Sequence, residues 1–536
     1  MALGQMPYRD FPFVHAPLTF LIQAAIIRLA GRVFFHHALY AAILGGVATV
    51  LTWRILLMQL WQRVEWEWTM ALMLAAPLAV VGIYCIVPEP NYDCDCVLSL
   101  LGAIWLLQRI ALADSFSRGR ELLRGFAAGF SVCAPLFFKQ NIGLAFLASV
   151  AGSVTLLLVA ARINRGREGA PKPPTAVLLA LVSGAGLTLL AAGVLIHSTA
   201  GIGNYFGWTI RFAAQRRLPA FASMLDVYRD PSLLWTLPVV VAGVLALRSR
   251  VGNSRWGRIG AFALLAAPLA FTLCSLLMYD DADERGDSLL ALWPLLLILA
   301  GLLALVDLLR AGRDVNLRVL MPFLVLAAIT GAMMSQQLWG STYAIWPLLT
   351  VLVAELIAFV AASSPTGAER NLVAPALAAA ISITLLVCGA FYTASEERLA
   401  YARFPAGPAL YSAFPQLAGM ATPGPYLPEF DELLRFAAAN IPANDGLILL
   451  PGEDPFYFVT ARIPRFPVLL FDPATDPYSP AQVARLALSR NIRWLVVKRD
   501  LQIRENPMPE REATMKLLMD EFTPAARLRG YDIYRR

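Results

Sequence analysis

Residues 141–161 read NIGLAFLASVAGSVTLLLVAA, and Arg162, Arg165, Arg167 and Lys172 follow directly. An uncharged apolar run of about 20 residues is what a helix needs to cross the hydrocarbon core of a bilayer. A cluster of Lys and Arg just beyond one end is the usual mark of the cytoplasmic side. The stretch therefore predicts a transmembrane helix that ends in a cytoplasmic loop.

The same pattern recurs on both sides of it. Windows at 39–60, 68–87, 96–112, 122–138, 176–196, 234–247, 259–279, 288–308, 319–335, 344–362 and 374–392 qualify or nearly qualify, giving about 12 spans. The window at 234–247 is short. The apolar segment 18–30 is shorter than a span and predicts an interfacial or partly inserted helix. Arginines test the count. Arg63, then Arg118, Arg120 and Arg124, then Arg162 to Lys172, then Arg248 to Arg258, then Arg310, Arg313 and Arg318, and finally Arg370 fall in alternate loops. Those loops are expected in the cytoplasm. The loops between them are acidic in places, as in Tyr279-Asp280-Asp281-Ala282-Asp283-Glu284-Arg285-Gly286-Asp287. This alternation puts 1–37 and the C-terminal part outside.

Composition agrees. The chain has 536 residues, 58% hydrophobic and only 15% charged, with a mean hydropathy of +0.61. Soluble chains carry about 25% charged residues. The apolar excess stops near residue 394, so the sequence divides into a membrane body, 1–393, and a soluble extracytoplasmic domain, 394–536. The net charge of +7 resides in loop arginines and forms no basic stripe interleaved with aromatics, so nucleic acid is not an expected partner. The six cysteines show no metal-site spacing, and Cys94-Asp95-Cys96 lacks further zinc ligands. No metal-binding residues are assigned and no cofactor is indicated; a metal requirement is left open.

The opening Gly4-Gln5-Met6-Pro7-Tyr8-Arg9-Asp10-Phe11, followed by His15-Ala16-Pro17-Leu18, resembles the first outer loop of the C-fold glycosyltransferase superfamily. That superfamily includes the protein O-mannosyltransferases and the lipid A aminoarabinose transferases. Its loop carries an acid, then His-Pro-Pro-Leu or Pro-Pro-Leu, then a helix; here Ala16 replaces the first proline. The resemblance extends to Phe138-Lys139-Gln140, and to the run from Ser335 to Ser341 that precedes Trp346-Pro347. It implies transfer of a sugar from a polyprenyl-phosphate donor at the outer leaflet to a hydroxyl or phosphate acceptor. A loop carboxylate acts as base or positions the acceptor, and basic residues hold the lipid phosphate. Many members carry a further acid just after a first span upstream of this loop, and a polar opening on the outer side predicts that such a span is missing here. A chain lacking that acid is expected to be inactive if the acid is the principal one.

Within that frame Asp10 is the first candidate for the catalytic or acceptor-orienting carboxylate, since transfer needs a base within hydrogen-bond reach of the attacking hydroxyl. A poorly hydrated site next to the membrane would raise its pKa. The structural alternative is an Asp that caps the following helix or pairs with Arg9. Asp93, in Pro88-Glu89-Pro90-Asn91-Tyr92-Asp93, is a second catalytic candidate or a helix N-cap, and Asp95 is an alternative cap for the same helix. Lys139 and Arg285 are candidates for the lipid phosphate; snorkelling and internal ion pairing are their alternatives. His15 is a weaker candidate. Gln336, Gln337 and Trp339 offer amides and an indole to sugar hydroxyls and ring faces, although an interfacial tryptophan is equally ordinary. Arg211, Arg216 and Arg217 follow Tyr205-Phe206-Gly207-Trp208 and predict an amphipathic surface helix.

The soluble part alternates helix and strand: helices at 430–439, 480–489 and 510–521, strands at 447–450, 468–471, 494–498 and 531–534. This predicts a small α/β domain. Asp454, Arg462 and Asp472 stand near strand ends, where capping and turn roles explain them as well as ligand binding does. No Gly-x-Gly-x-x-Gly or Gly-Lys-Ser/Thr motif is present.

The expected protein is thus a polytopic α-helical membrane protein of the bacterial inner membrane with a C-terminal α/β extracytoplasmic domain. It is expected to build a cell-envelope glycan by moving a sugar from a lipid-phosphosugar donor to a glycan, lipid or protein acceptor, with membrane lipids as its surroundings. A transporter or flippase of a lipid-linked glycan is the alternative, and would show repeats and broken helices with mid-membrane charges. A scaffold without chemistry is the third reading.

Overall fold

The computed structural model describes residues 1–85, 87–112, 118–164, 175–217, 225–279, 289–334, 344–363, 372–394, 408–471, 476–499 and 509–536. It divides into two compact units that are discontinuous in sequence, one of residues 40–193 and 219–399 and one of residues 1–39, 194–218 and 400–536.

The helical unit follows from the apolar windows. Among the described residues nine helices are long and apolar enough to cross a membrane: α2 (Phe34–Leu60, whose first residues belong to the other unit), α5 (Tyr92–Ala111), α6 (Arg118–Phe138), α7 (Gln140–Ile163), α8 (Thr175–Thr199, shared in the same way), and Arg255–Met278, Leu292–Ala311, Trp346–Ser363 and Val373–Ala394. Three of the twelve expected spans come out shorter. Leu233–Arg248 and Leu317–Met333 have 16 and 17 residues. The window at 68–87 is broken into α3 (Glu67–Ala75) and α4 (Leu78–Val81), with Pro77 at the break. Proline cannot donate into the helix ladder and its ring crowds the preceding turn, so one continuous helix is not available there.

Close packing explains several glycines. An added Cβ on Gly125, Gly129 or Gly184 would meet the carbonyl oxygen of Val177, Leu181 or Phe126 at 2.6, 2.1 and 2.3 Å. Gly125 and Gly129 are four apart on α6, and Gly184 faces them from α8, so small residues let the two backbones touch. Two arginines at helix ends find partners inside the unit, as expected where hydration is scarce. Arg63 donates to Glu355 at 2.7 Å, and Arg248 donates through Nε to Ser363 Oγ at 3.1 Å. Both arginines therefore reach the C-terminal half of the helix Trp346–Ser363.

The other unit contains a four-stranded sheet in the order β3-β4-β6-β5, where β3 is Gly446–Leu450, β4 Ile492–Lys498, β5 Thr523–Arg527 and β6 Tyr531–Arg535. β3 and β4 are parallel, and β6 runs antiparallel to both β4 and β5. A two-residue pair, β1 (Leu410–Tyr411) with β2 (Ala421–Thr422), precedes it. Helices Tyr426–Asn440 and Pro480–Ser489 supply apolar faces to cores around Phe430 and Leu449, and around Val483 and Leu495. One expectation is corrected, and one helix was not anticipated. Residues 468–471 form no strand: Leu470 makes an isolated bridge to Gly452, and the Phe471 N–H donates to the Pro451 carbonyl at 2.7 Å. Residues 454–460 form a helix, with Pro455 in its first turn, where its missing N–H costs nothing. Arg462 is a cap: its guanidinium donates to the carbonyls of Ala437, Ile441 and Pro442 at 3.2, 2.6 and 3.0 Å, closing the end of the helix Tyr426–Asn440. Asp472 lies outside the described residues.

The N-terminal loop belongs to this unit. Tyr8 stands at φ 68°, an unusual backbone state for a bulky residue. Burial of its ring against Tyr205 and Phe13, at centroid distances of 5.1 and 5.7 Å, and the bond from its hydroxyl to the His15 carbonyl at 2.6 Å hold it there. The expected surface helix near Tyr205 is Ile202–Arg217, interrupted by a π-turn at Gly207–Phe212 that includes Arg211. α1 (Leu18–Ala30) follows the loop as expected.

Candidate functional site

The helical unit gathers a buried polar cluster at the start of α5. Proline at positions 88 and 90 keeps the approach extended, and Asn91 then caps the helix by accepting from the Asp93 N–H at 2.7 Å. Neither Asp93 nor Asp95 is the cap, which corrects that structural alternative. Both carboxylates are buried, at 5% and 2% exposure.

Each is held by side chains from elsewhere in the fold. Asp93 forms an ion pair with Lys139, which sits at the joint between α6 and α7 and is 8% exposed. Lys139 also lies over the ring of Tyr92, 5.2 Å from its centroid. Asp95 accepts from the hydroxyl of Tyr40 on α2 at 2.9 Å and from that of Tyr84 at 2.5 Å. Tyr84 ends the broken segment after α4. Hydrogen bonds to an ionised acceptor are the strong kind, and such a group is expensive to bury without them. The first turn of a helix also favours negative charge. The result is two carboxylates two residues apart, one facing an ammonium and the other facing two phenols. This arrangement can hold a proton acceptor and a positive charge side by side in a place with little water.

The sequence brought Asp93 and Lys139 forward separately, and the fold joins them. Tyr40 and Tyr84 were missed. Neither carries a motif, and each is an ordinary aromatic in an apolar window until the fold places it on Asp95.

Asp10 is placed in the other unit and in a different environment from the one expected. Its side chain is 31% exposed and bonds to Arg9 at 2.9 and 3.0 Å and to the Met6 N–H at 2.7 Å. The Arg9 guanidinium, helped by the Met6 amide, lowers its pKa to about 2. The expectation of a poorly hydrated carboxyl with a raised pKa is thus corrected: Asp10 is ionised and strongly partnered. Arg9 also donates to the Thr199 carbonyl at 3.2 Å, tying the loop to the end of α8. The His15 ring stacks on Phe20 at 6.2 Å and meets Phe13 edge-on at 5.8 Å, in an aromatic group. Arg285, Gln336, Gln337 and Trp339 lie outside the described residues, as do Asp280 to Asp287 around the first of them.

No family model matches the chain, and no curated protein matches it. Among solved structures it is similar to ArnT from Cupriavidus metallidurans bound to undecaprenyl phosphate, with 12% identity over 98% of this chain and 88% of that one and a TM-score of 0.41. It is also similar to the archaeal oligosaccharyltransferase AglB from Archaeoglobus fulgidus in complex with an inhibitory peptide and a dolichol-phosphate, with 12% identity over 92% of this chain and 62% of that one and a TM-score of 0.43. The apo form of the Archaeoglobus enzyme gives 13% identity, 92% and 63% coverage, and a TM-score of 0.42.

Proposed function

We propose that this protein is a membrane glycosyltransferase that takes a sugar from a polyprenyl-phosphate donor and passes it to an acceptor hydroxyl on the exoplasmic side of the bacterial inner membrane. The observation that carries this reading is the buried Asp93–Lys139 pair beside Asp95 at the start of an apolar helix, in a chain whose loop motifs occur in the order seen in C-fold glycosyltransferases.

The chemistry follows from the groups. The acceptor oxygen attacks the anomeric carbon as the bond from that carbon to the phosphate oxygen breaks. The electron pair leaves with the phosphate, and the hydroxyl proton goes to a carboxylate. Asp93 is the acceptor of that proton, and the Lys139 ammonium offsets charge that builds on the departing phosphate. Asp95, fixed by two phenols, orients the turn and adds no free base. Asp10, ionised and tied to Arg9, holds the loop to the end of α8 and is the positioning group of the N-terminal segment.

The test uses the purified full chain in lipid nanodiscs with a polyprenyl-phosphate sugar pool extracted from bacterial membranes. Release of polyprenyl phosphate that depends on both enzyme and acceptor is the expected result. Movement of intact donor across a proteoliposome membrane without cleavage would replace this reading with transport.

A further inference from the structure

Far from the carboxylate cluster in sequence, the helical unit contains a second feature, a crevice to which Asp93, Asp95 and Lys139 contribute nothing. Five helices, Leu233–Arg248, Arg255–Met278, Leu292–Ala311, Trp346–Ser363 and Val373–Ala394, enclose a crevice of about 380 Å³. That is within the usual size range of a ligand pocket, roughly 300–1,000 Å³. Its walls are almost wholly aliphatic, with Val244, Leu265, Leu299 and Val353 typical of them. Its lining runs along the helix Trp346–Ser363 from Trp346 to Phe359. At the ordinary helical rise those thirteen steps cover about 20 Å. One leaflet of a bilayer has a hydrocarbon depth of about 15 Å. The crevice therefore has the length of a lipid tail.

Among the described residues, charge enters this lining only through Arg248 and Arg310. Each closes the last turn of its helix. The Arg248 guanidinium is fixed from two sides, by its Nε bond to Ser363 Oγ at 3.1 Å and by the face of Phe359, whose centroid lies 4.6 Å away. Among the described residues, Arg310 faces a distant carboxylate, Asp307 at 4.0 Å, on its own helix. A planar guanidinium fork matches a phosphate, and its weak hydration suits a site at the edge of the hydrocarbon. An apolar slot of tail length that ends in two arginines is complementary to a lipid with a negative head group.

We propose that this crevice is a binding site for an anionic glycerophospholipid, with one acyl chain between the five helices and the phosphate at Arg248 and Arg310. These arginines belong to the loops that the alternation of charge assigns to the cytoplasm, so the lipid comes from the inner leaflet. This proposal does not depend on the glycosyl-transfer reading.

The experiment is a lipid-binding titration of the full chain purified in phosphatidylcholine nanodiscs, read by native mass spectrometry after ejection from the disc. Phosphatidylglycerol, phosphatidylcholine and a polyprenyl phosphate are the three probes. Two arginines at an anionic head group are expected to favour phosphatidylglycerol over phosphatidylcholine by roughly 30-fold. The double variant Arg248→Ala/Arg310→Ala should bring that ratio close to one. Leu299→Trp, which fills the slot and leaves both arginines in place, should abolish retention of phosphatidylglycerol and remains readable if the double variant fails to fold. Equal binding of the two phospholipids by the wild type would overturn the proposal. So would unchanged preference in the double variant, undiminished retention by Leu299→Trp, or displacement of phosphatidylglycerol by a lower concentration of polyprenyl phosphate.

Discussion

Asp93 and Lys139 are 46 positions apart and form an ion pair in which both side chains are more than nine-tenths buried. The pair joins the first turn of α5 to the joint between α6 and α7. A buried charge that loses its partner is worse off than no charge at all. Lys139→Met alone is therefore expected to destabilise the protein by about 3–5 kcal/mol, while Asp93→Leu/Lys139→Met recovers most of the loss. Thermal unfolding of detergent-purified variants checks this, with recovery in the double variant as the decisive reading.

The carboxylate of Asp95 depends on the hydroxyls of Tyr40 and Tyr84. Tyr84→Phe keeps the ring and removes one donor from a buried acceptor. It should cost about 1.5–3 kcal/mol, seen as a lower unfolding temperature. Tyr84→Phe with Asp95→Asn should cost less than the sum of the two single changes, because the charge that needed the donor is gone.

Contact between α6 and α8 gives a test that involves no polar group. At Gly129 an added Cβ would lie 2.1 Å from the Leu181 carbonyl, whereas at Gly186 it would meet nothing within 4 Å. Gly129→Ala should destabilise by about 1–3 kcal/mol, and Gly186→Ala should be neutral or slightly stabilising. Equal melting of the two variants would contradict the close crossing.

How much of this was legible follows from the range of the forces involved. Spans such as α7 are read directly, because a bilayer imposes length and apolarity on contiguous residues. The short helix Leu317–Met333 and the break at Pro77 were harder, since protein neighbours can cover a helix that does not itself meet the length rule. In the sheet unit, 468–471 has strand composition but no partner strand beyond one bridge, and β5, with Pro524 and two alanines, has poor strand composition yet pairs with β6. Pairing partners decide strands more than residue types do. At the candidate site the residue types were visible at Asp93 and Lys139. That Asn91 takes the cap, and that Tyr40 and Tyr84 converge on Asp95, required the fold.

The Asp10 loop has a defined pH signature. Its carboxyl is lowered from 3.8 to about 2 by Arg9 and the Met6 amide. A depressed folded-state pKa gives stabilisation that is present above the unfolded value and lost as pH falls through the folded one. Order in the loop should therefore persist from neutral pH to about 4 and decay between about 4 and 2. Arg9→Gln removes the main cause, so its loop should open at higher pH than the wild type. Hydrogen exchange at the Asp10 amide, which bonds the Met6 carbonyl, reports this directly.

The most direct measurement compares sugar transfer from a polyprenyl-phosphate donor by the wild type, Asp93→Asn and Asp10→Asn, each purified as the full chain and matched for folded fraction by unfolding temperature. Asparagine keeps the size of Asp93 and removes the proton-accepting charge. If Asp93 takes the proton of the acceptor, its turnover should fall by about 100-fold or more, the ordinary worth of a positioned base. Asp10→Asn, which changes a charge tied to Arg9 in the other unit, should keep turnover within a few-fold of the wild type. Full turnover by a folded Asp93→Asn protein would contradict the assignment of the base and, with it, the central claim that the buried carboxylate at the head of α5 performs the transfer.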